Sequence, residues 1–160
     1  MAAWIEPSVL ACVALGANLG DAAAEVRQAL RDLATLDGTR VVRASSLYRT
    51  APYEALGPDF INAVALLDTQ LSPLALLHAL QRIEQAHGRE RPYHNAPRTL
   101  DLDLIFHGDT QLATPELTLP HPRWQERAFV LVPLADVCPE RVNAELLAAV
   151  RDQPIEKFTV

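Results

Sequence analysis

The sequence predicts an α+β fold, a ferredoxin-like β-α-β-β-α-β sandwich with an antiparallel sheet and its helices on one face. Three observations carry that prediction. Residues 9–15 are continuously apolar, as a strand buried on both faces requires. Two segments repeat apolar residues at helical spacing behind a capping residue. The other apolar runs are short and bounded by Gly and Pro, which favours strands joined by irregular loops. The 160 residues suit one domain over 1–160.

The elements follow in order. The strand over 9–15 runs into the turn Gly16-Ala17-Asn18-Leu19-Gly20, and Asp21 supplies an N-cap. Val26, Ala29, Leu30 and Leu33 then form the apolar stripe of a helix that Asp37-Gly38 closes off. Residues 39–48 read as one second strand, and 49–59, with Pro52, Gly57 and Pro58, as a long loop. Residues 60–67 are a third strand. Ser72-Pro73 starts a helix with a hydroxyl cap and Pro at its first position, and Gly88 ends it. On that helix, His78 and His87 are expected at the surface. After a charged loop over 89–97 comes a fourth strand over 100–106. Residues 114–123 are extended or looping, 128–137 lean helical, and the tail from 141 adds a further short helix.

Composition narrows the function. The net charge of −6 disfavours non-specific nucleic-acid binding. No apolar run approaches the ~20 residues of a membrane-spanning helix, and the N-terminal stretch, with Glu6, makes a poor signal peptide. The expected location is the cytoplasm. Cys12 and Cys138 are far apart in apolar stretches and read as buried free thiols. Thirteen of the 14 basic residues are Arg, which grips phosphate in two-point contacts, although a genomic codon bias gives the same count.

The sharpest local pattern is Arg98-Thr99-Leu100-Asp101-Leu102-Asp103-Leu104. Alternation puts Leu100, Leu102, Leu104 and Phe106 on one face and Asp101 and Asp103 on the other, with Cα atoms ~6.6 Å apart. Paired carboxylates on an open face suit Mg²⁺ held jointly with phosphate oxygens, and a solvated edge strand is the alternative. Arg89, Arg91 and Arg98 concentrate positive charge beside them, either for a polyphosphate or as a solvated loop with Glu90. His121 stands between Pro120 and Pro122 and is either a phosphate contact or structural. Walker A, Gly-x-Ser-x-Gly, His-Glu-x-x-His and Cys-x-x-Cys motifs are absent from the sequence. The residues alone leave open another Asp-x-Asp metal-dependent transferase or a small-molecule-binding module without chemistry.

Over about residues 9–140 the chain resembles the 6-hydroxymethyl-7,8-dihydropterin pyrophosphokinase family. The resemblance rests on Ala14-Leu15-Gly16-Ala17-Asn18-Leu19-Gly20, Ser45-Ser46-Leu47-Tyr48-Arg49-Thr50, Phe60-Ile61-Asn62-Ala63, Ile83-Glu84 and Gly88-Arg89. It continues through Pro97-Arg98-Thr99-Leu100-Asp101-Leu102-Asp103, Pro120-His121-Pro122 and Arg127-Ala128-Phe129. It implies a Mg²⁺-dependent enzyme of folate biosynthesis that transfers pyrophosphate from ATP to the pterin hydroxymethyl oxygen and releases AMP. Asp101 and Asp103 would hold two Mg²⁺ ions. Arg89, Arg98 and His121 would contact the triphosphate, with Arg127 nearby, and Glu84 would fix the ribose. Asn62 would bond the pterin between Phe60 and Phe129, and the backbone from Thr50 to Tyr53 would read its edge. The loop over 89–97 would close on bound nucleotide. Asn95 and Glu116 depart from the family pattern. The partners implied are ATP and the pterin, with no nucleic acid and no membrane, and the expected state is a monomer.

Overall fold

The computed structural model describes residues 4–52, 57–88 and 100–159, with side chains from residue 7 onward. Strand β1 (Trp4–Ala17) leads to helix α1 (Ala22–Leu33), strands β2 (Thr39–Ala44), β3 (Leu47–Thr50) and β4 (Phe60–Leu71), helix α2 (Pro73–Ala86) and strand β5 (Asp101–His107). A small hairpin of β6 (Leu112–Ala113) and β7 (Thr118–Leu119) precedes helix α3 (Ala128–Val137), helix α4 (Ala144–Ala149) and strand β8 (Ile155–Phe158). The six-stranded sheet is antiparallel throughout, in the order β5-β1-β4-β3-β8, with β2 also on β4. The apolar run 9–15 of β1 thus lies between β4 and β5, with its two faces in different cores.

The predicted caps hold. Asp21 accepts from the Ala24 N–H at 3.1 Å and Ser72 from the Ala75 N–H at 3.3 Å, each satisfying a donor the first helical turn leaves open. Gly88 takes φ +85°, the left-handed residue that ends α2. Val26, Ala29 and Leu33 of α1 and Leu76, Ala79, Leu80 and Ile83 of α2 pack on Val13, Leu15, Ala63, Ala65 and Leu67 of the sheet. These two helices share one face, as the β-α-β-β-α-β order requires.

Several expectations change. The strand read over 39–48 is two strands, because Ser45 and Ser46 interrupt it. The Ser45 hydroxyl accepts from the Val64 N–H at 2.9 Å and so takes a backbone position in the ladder. Phe106 does not share the face of Leu102 and Leu104. The β1–β5 register shifts between Cys12 and Val13, leaving Ile105 as an extra residue, and beyond it Phe106 joins Cys12 on the opposite face. The tail contributes α4 and also β8, which pairs with β3. The sheet face expected to be open is half covered: Val130, Leu134 and Val137 of α3 pack on Cys12, Val64, Leu66, Ile105 and Phe106. Both cysteines are buried and free, and burial pushes the Cys12 thiol pKa up. Among the described residues no helix is long and apolar enough to cross a membrane.

Candidate functional site

The site begins where α3 stops covering the sheet. Across the strands, Asp101, Gly16, Asn62 and Tyr48 form one row, and Asp103, Ala14 and Val64 the next. Small residues on central β1 lower the middle of this surface, and larger side chains on its neighbours wall it. The result is a cavity of about 280 Å³ lined by Ala14, Gly16, Thr50, Ala51, Phe60 and Asn62, with Asp101, Asp103, Arg127 and Phe129 on its rim. A methyl group on Gly16 would lie 3.0 Å from Asn62 Oδ1 and 3.8 Å from Phe60 Cδ1, so this glycine makes the floor. The sequence signal for it was a glycine ending a buried apolar strand, to which the motif reading attached no role.

Asn62 is 4% exposed and donates from Nδ2 to Thr50 Oγ1 at 2.7 Å. That bond orients the amide and leaves Oδ1 as an acceptor beside Gly16. Phe60 at the start of β4 and Phe129 on α3 converge on the same cavity. The Arg127 guanidinium lies 5.4 Å from the Phe129 ring centre. Its Nε is buried without a hydrogen-bond partner among the described residues, an unusual cost unless a ligand supplies the acceptor.

A second cavity, of about 290 Å³, opens on the other side of Asp103, between α2 and the β6–β7 hairpin. Leu77, Leu102, Thr114, Leu117, Thr118 and His121 contribute to it. Sequence reasoning missed Leu77, Thr114 and Thr118, which carry no motif and are gathered only by the hairpin. His121 sits in the predicted rigid turn, where its N–H donates to the Ile105 carbonyl at 2.8 Å. Its Nδ1 accepts from the Arg123 N–H at 3.1 Å. Burial holds its pKa below the ordinary imidazole value against the opposing pull of Asp103, with Arg127 and Arg123 adding to the lowering. His121 is therefore neutral at pH 7, and its ring proton is on Nε2.

Asp101 and Asp103 share the open face, as alternation predicted, and Asp103 is exposed. The described residues hold no group of three His, Cys, Asp or Glu able to bind a metal. Two hard carboxylate donors alone fit a cation whose remaining ligands are substrate oxygens and water. Glu84 Oε2 accepts from the Leu102 N–H at 2.7 Å, between the two aspartates. His78 lies exposed on α2 as expected, with Nε2 2.6 Å from Glu116 Oε2 on the hairpin loop. His87 does not: its side chain is 7% exposed, because α1 packs over it. Tyr53, Arg89, Arg91, Asn95 and Arg98, with the closing loop over 89–97, lie outside the described residues.

Residues 12–139 match the family model for 7,8-dihydro-6-hydroxymethylpterin-pyrophosphokinase. The chain is 47% identical over 133 residues to a Synechocystis 2-amino-4-hydroxy-6-hydroxymethyldihydropteridine pyrophosphokinase, covering 83% of this chain and 68% of that one. It is 46% identical over 153 residues to a Pseudomonas aeruginosa protein of the same description, covering 91% and 94%. Among solved structures it resembles Plasmodium falciparum HPPK-DHPS, wild type with pteroate, at TM-score 0.70 and 14% identity. That match covers 91% of this chain but 42% of that longer one, and it speaks for the fold alone.

Proposed function

The chain belongs to the 7,8-dihydro-6-hydroxymethylpterin-pyrophosphokinase family, and we propose how its two cavities divide the work of that reaction. It is a pyrophosphokinase of hydroxymethyldihydropterin in folate synthesis. We assign the pterin to the cavity over Gly16 and the nucleotide to the cavity under the β6–β7 hairpin. The observation that carries this division is Asp103, which walls both cavities. Acceptor and donor would meet at the carboxylate pair.

A flat polar bicycle would lie between Phe60 and Phe129, with Asn62 at its edge and the backbone at Thr50 beside it; Tyr53, expected to read the rim as well, lies outside the described residues. Its hydroxymethyl oxygen attacks the β-phosphorus of ATP and releases its proton to solvent, the bond from that phosphorus to the α,β-bridging oxygen breaks, and AMP leaves with the bridging oxygen. Such a transfer needs alignment and charge neutralisation more than covalent help. Asp101 and Asp103 would hold two Mg²⁺ ions, which supply the neutralising charge on the phosphate chain. Arg127 brings a buried, unpartnered Nε to the same place. Neutral His121 donates from Nε2 to a phosphate oxygen without competing for the cations. Arg89 and Arg98 complete the phosphate contacts, and Glu84 contacts the ribose from the turn of α2 that it already ties to β5.

The proposed working unit is a monomer over 1–160. Buried free thiols and use of ATP suit the cytoplasm. The test is AMP release from ATP with Mg²⁺, with and without 6-hydroxymethyl-7,8-dihydropterin, and with EDTA. AMP appearing only when metal and pterin are both present supports the assignment. AMP release that ignores the pterin, or survives EDTA, overturns it.

A further inference from the structure

The imidazole of His87 is bonded at both nitrogens. Nδ1 lies 2.7 Å from Glu25 Oε2 and Nε2 lies 2.6 Å from Asp32 Oδ2, both on α1. Carboxylates only accept, and a neutral imidazole carries one N–H. Both bonds exist together only when both nitrogens are protonated. Glu25 and Asp32 make no ion pair with another residue among those described. Asp32 spends its other oxygen on Gln28 Nε2 at 2.9 Å, so its carboxylate is held from two sides. The imidazolium is thus enclosed between α1 and the C-terminal cap of α2.

One turn back on α2 is Glu84, whose Oε2 takes the Leu102 N–H. β5 ends the sheet order, so alternate N–H groups face outward, and this one lies between Asp101 and Asp103. The links run from α1 through His87 to the last turn of α2, then through Glu84 to β5.

We propose that His87 is a positioning residue: held as an imidazolium between Glu25 and Asp32, it fixes the last turn of α2 and, through Glu84, the stretch of β5 that carries Asp101 and Asp103. It touches neither substrate nor metal. The proposal rests on the reading of Asp101 and Asp103 as the metal site.

Among the described residues, the titratable groups bonded to the His87 ring are Glu25 and Asp32 from α1, and Glu84 lies one turn back on its own helix. Burial alone would lower the His87 pKa, but the bonds to Asp32 and Glu25 and their charges outweigh it and raise it above 6.5. The sign follows. The clamp is intact below pH 6.5 and is lost as pH rises through the folded-state value, when one of the two bonds loses its proton.

Two measurements on the full chain test this. In ¹⁵N-histidine NMR, with His87 identified by its absence in His87→Gln, both ring nitrogens should keep their protons to a higher pH than those of free histidine. A ring that loses a proton no later than free histidine does overturns the imidazolium, whatever the enzyme's activity. In the AMP assay, His87→Gln should lower kcat about three- to tenfold, as expected for a small displacement of reacting groups. KM for the pterin, bound on the far face of the sheet, should not change. His87→Arg keeps a permanent cation with two donors. It should restore kcat at pH 7 and remove the alkaline fall of kcat that the clamp imposes. A folded His87→Gln with unchanged kcat and an unchanged pH profile overturns the positioning role. Should His87→Gln not fold, Asp32→Asn, partly exposed on α1, reads the same profile. Absence of AMP release from the wild type would instead count against the metal-site reading and leave the NMR result standing.

Discussion

Replacing Gly16 with alanine tests the pterin cavity without removing a chemical group. The new methyl would stand 3.0 Å from Asn62 Oδ1, tighter than most real contacts of such a carbon, and 3.8 Å from Phe60 Cδ1. Asn62 has to retreat by a few tenths of an ångström, yet its amide is 4% exposed and tied to Thr50 Oγ1 at 2.7 Å. Overpacking of this kind costs about 1–3 kcal/mol where nothing can yield. In the empty protein the methyl also points toward open cavity. Exchanging Gly for Ala in a strand returns about 0.5–1 kcal/mol of backbone entropy. The net cost to the fold is therefore between nothing and about 2.5 kcal/mol, read as a modest fall in melting temperature. Pterin binding has no such compensation, because the ligand must share the floor with the methyl and meet a displaced amide. Its affinity should fall about 10- to 100-fold, or ~1.4–2.7 kcal/mol. The assay is calorimetric titration with pterin and, separately, with an ATP analogue and Mg²⁺, alongside a thermal melt. Pterin affinity within twofold of wild type would refute the placement. Equal losses for both ligands would show general damage to the sheet.

Three other outcomes follow from the same geometry. Asp103→Ala removes an exposed carboxylate, so the fold should survive while Mg²⁺-dependent turnover falls below about a tenth of wild type, a loss above ~1.4 kcal/mol; steady-state kinetics and circular dichroism decide it. Phe129→Ala should weaken pterin binding by about 1–3 kcal/mol, the scale of one lost aromatic stacking contact, with ATP affinity nearly unchanged; separate ligand titrations check it. Tyr48 donates to Asp136 Oδ2 at 2.7 Å and so ties β3 to α3, and burial together with that carboxylate pushes its pKa up to about 12. Tyr48→Phe should cost about 0.5–1.5 kcal/mol in urea unfolding. The wild-type advantage, full below pH 10, should disappear as pH rises from 10 to 12, since the raised group binds its proton more tightly when folded.

Most of the frame was legible because it rests on local rules. The uninterrupted run through Val13, the caps at Asp21 and Ser72, and the glycine at 88 each have a short-range cause that the sequence displays. Asp101 and Asp103 share a face for the same reason, since alternation needs only their spacing of two. What stayed hidden depends on distant partners. His87 reads as a surface helix residue until α1 brings Glu25 and Asp32 to it from more than fifty residues away. Ser45 looks like part of a strand until its hydroxyl replaces a backbone acceptor for Val64. Phe106 changes face through an extra residue that is apolar like its neighbours, so no break in pattern marks it. β8 has four residues and exists only against β3. The second cavity needed a hairpin whose strands are two residues each, too short to show a period.

The extra residue at Ile105 makes β5 a strand with two occupations. Before it, the strand alternates between core and ligand. After it, Ile105 and Phe106 both serve the packing under α3, and His107 is buried with Nε2 2.8 Å from the Leu71 carbonyl. Tolerance to substitution along β5 should therefore alternate up to Asp103 and then be low throughout. Changes at 101 and 103 would be read in turnover with the fold intact, whereas changes from 104 to 107 would be read in yield and melting temperature whichever face they occupy. Chemistry and mechanical support are thus laid end to end on one strand. Positions 101 and 103 can be varied without reopening the packing problem, whereas Leu102 between them stays committed to the core.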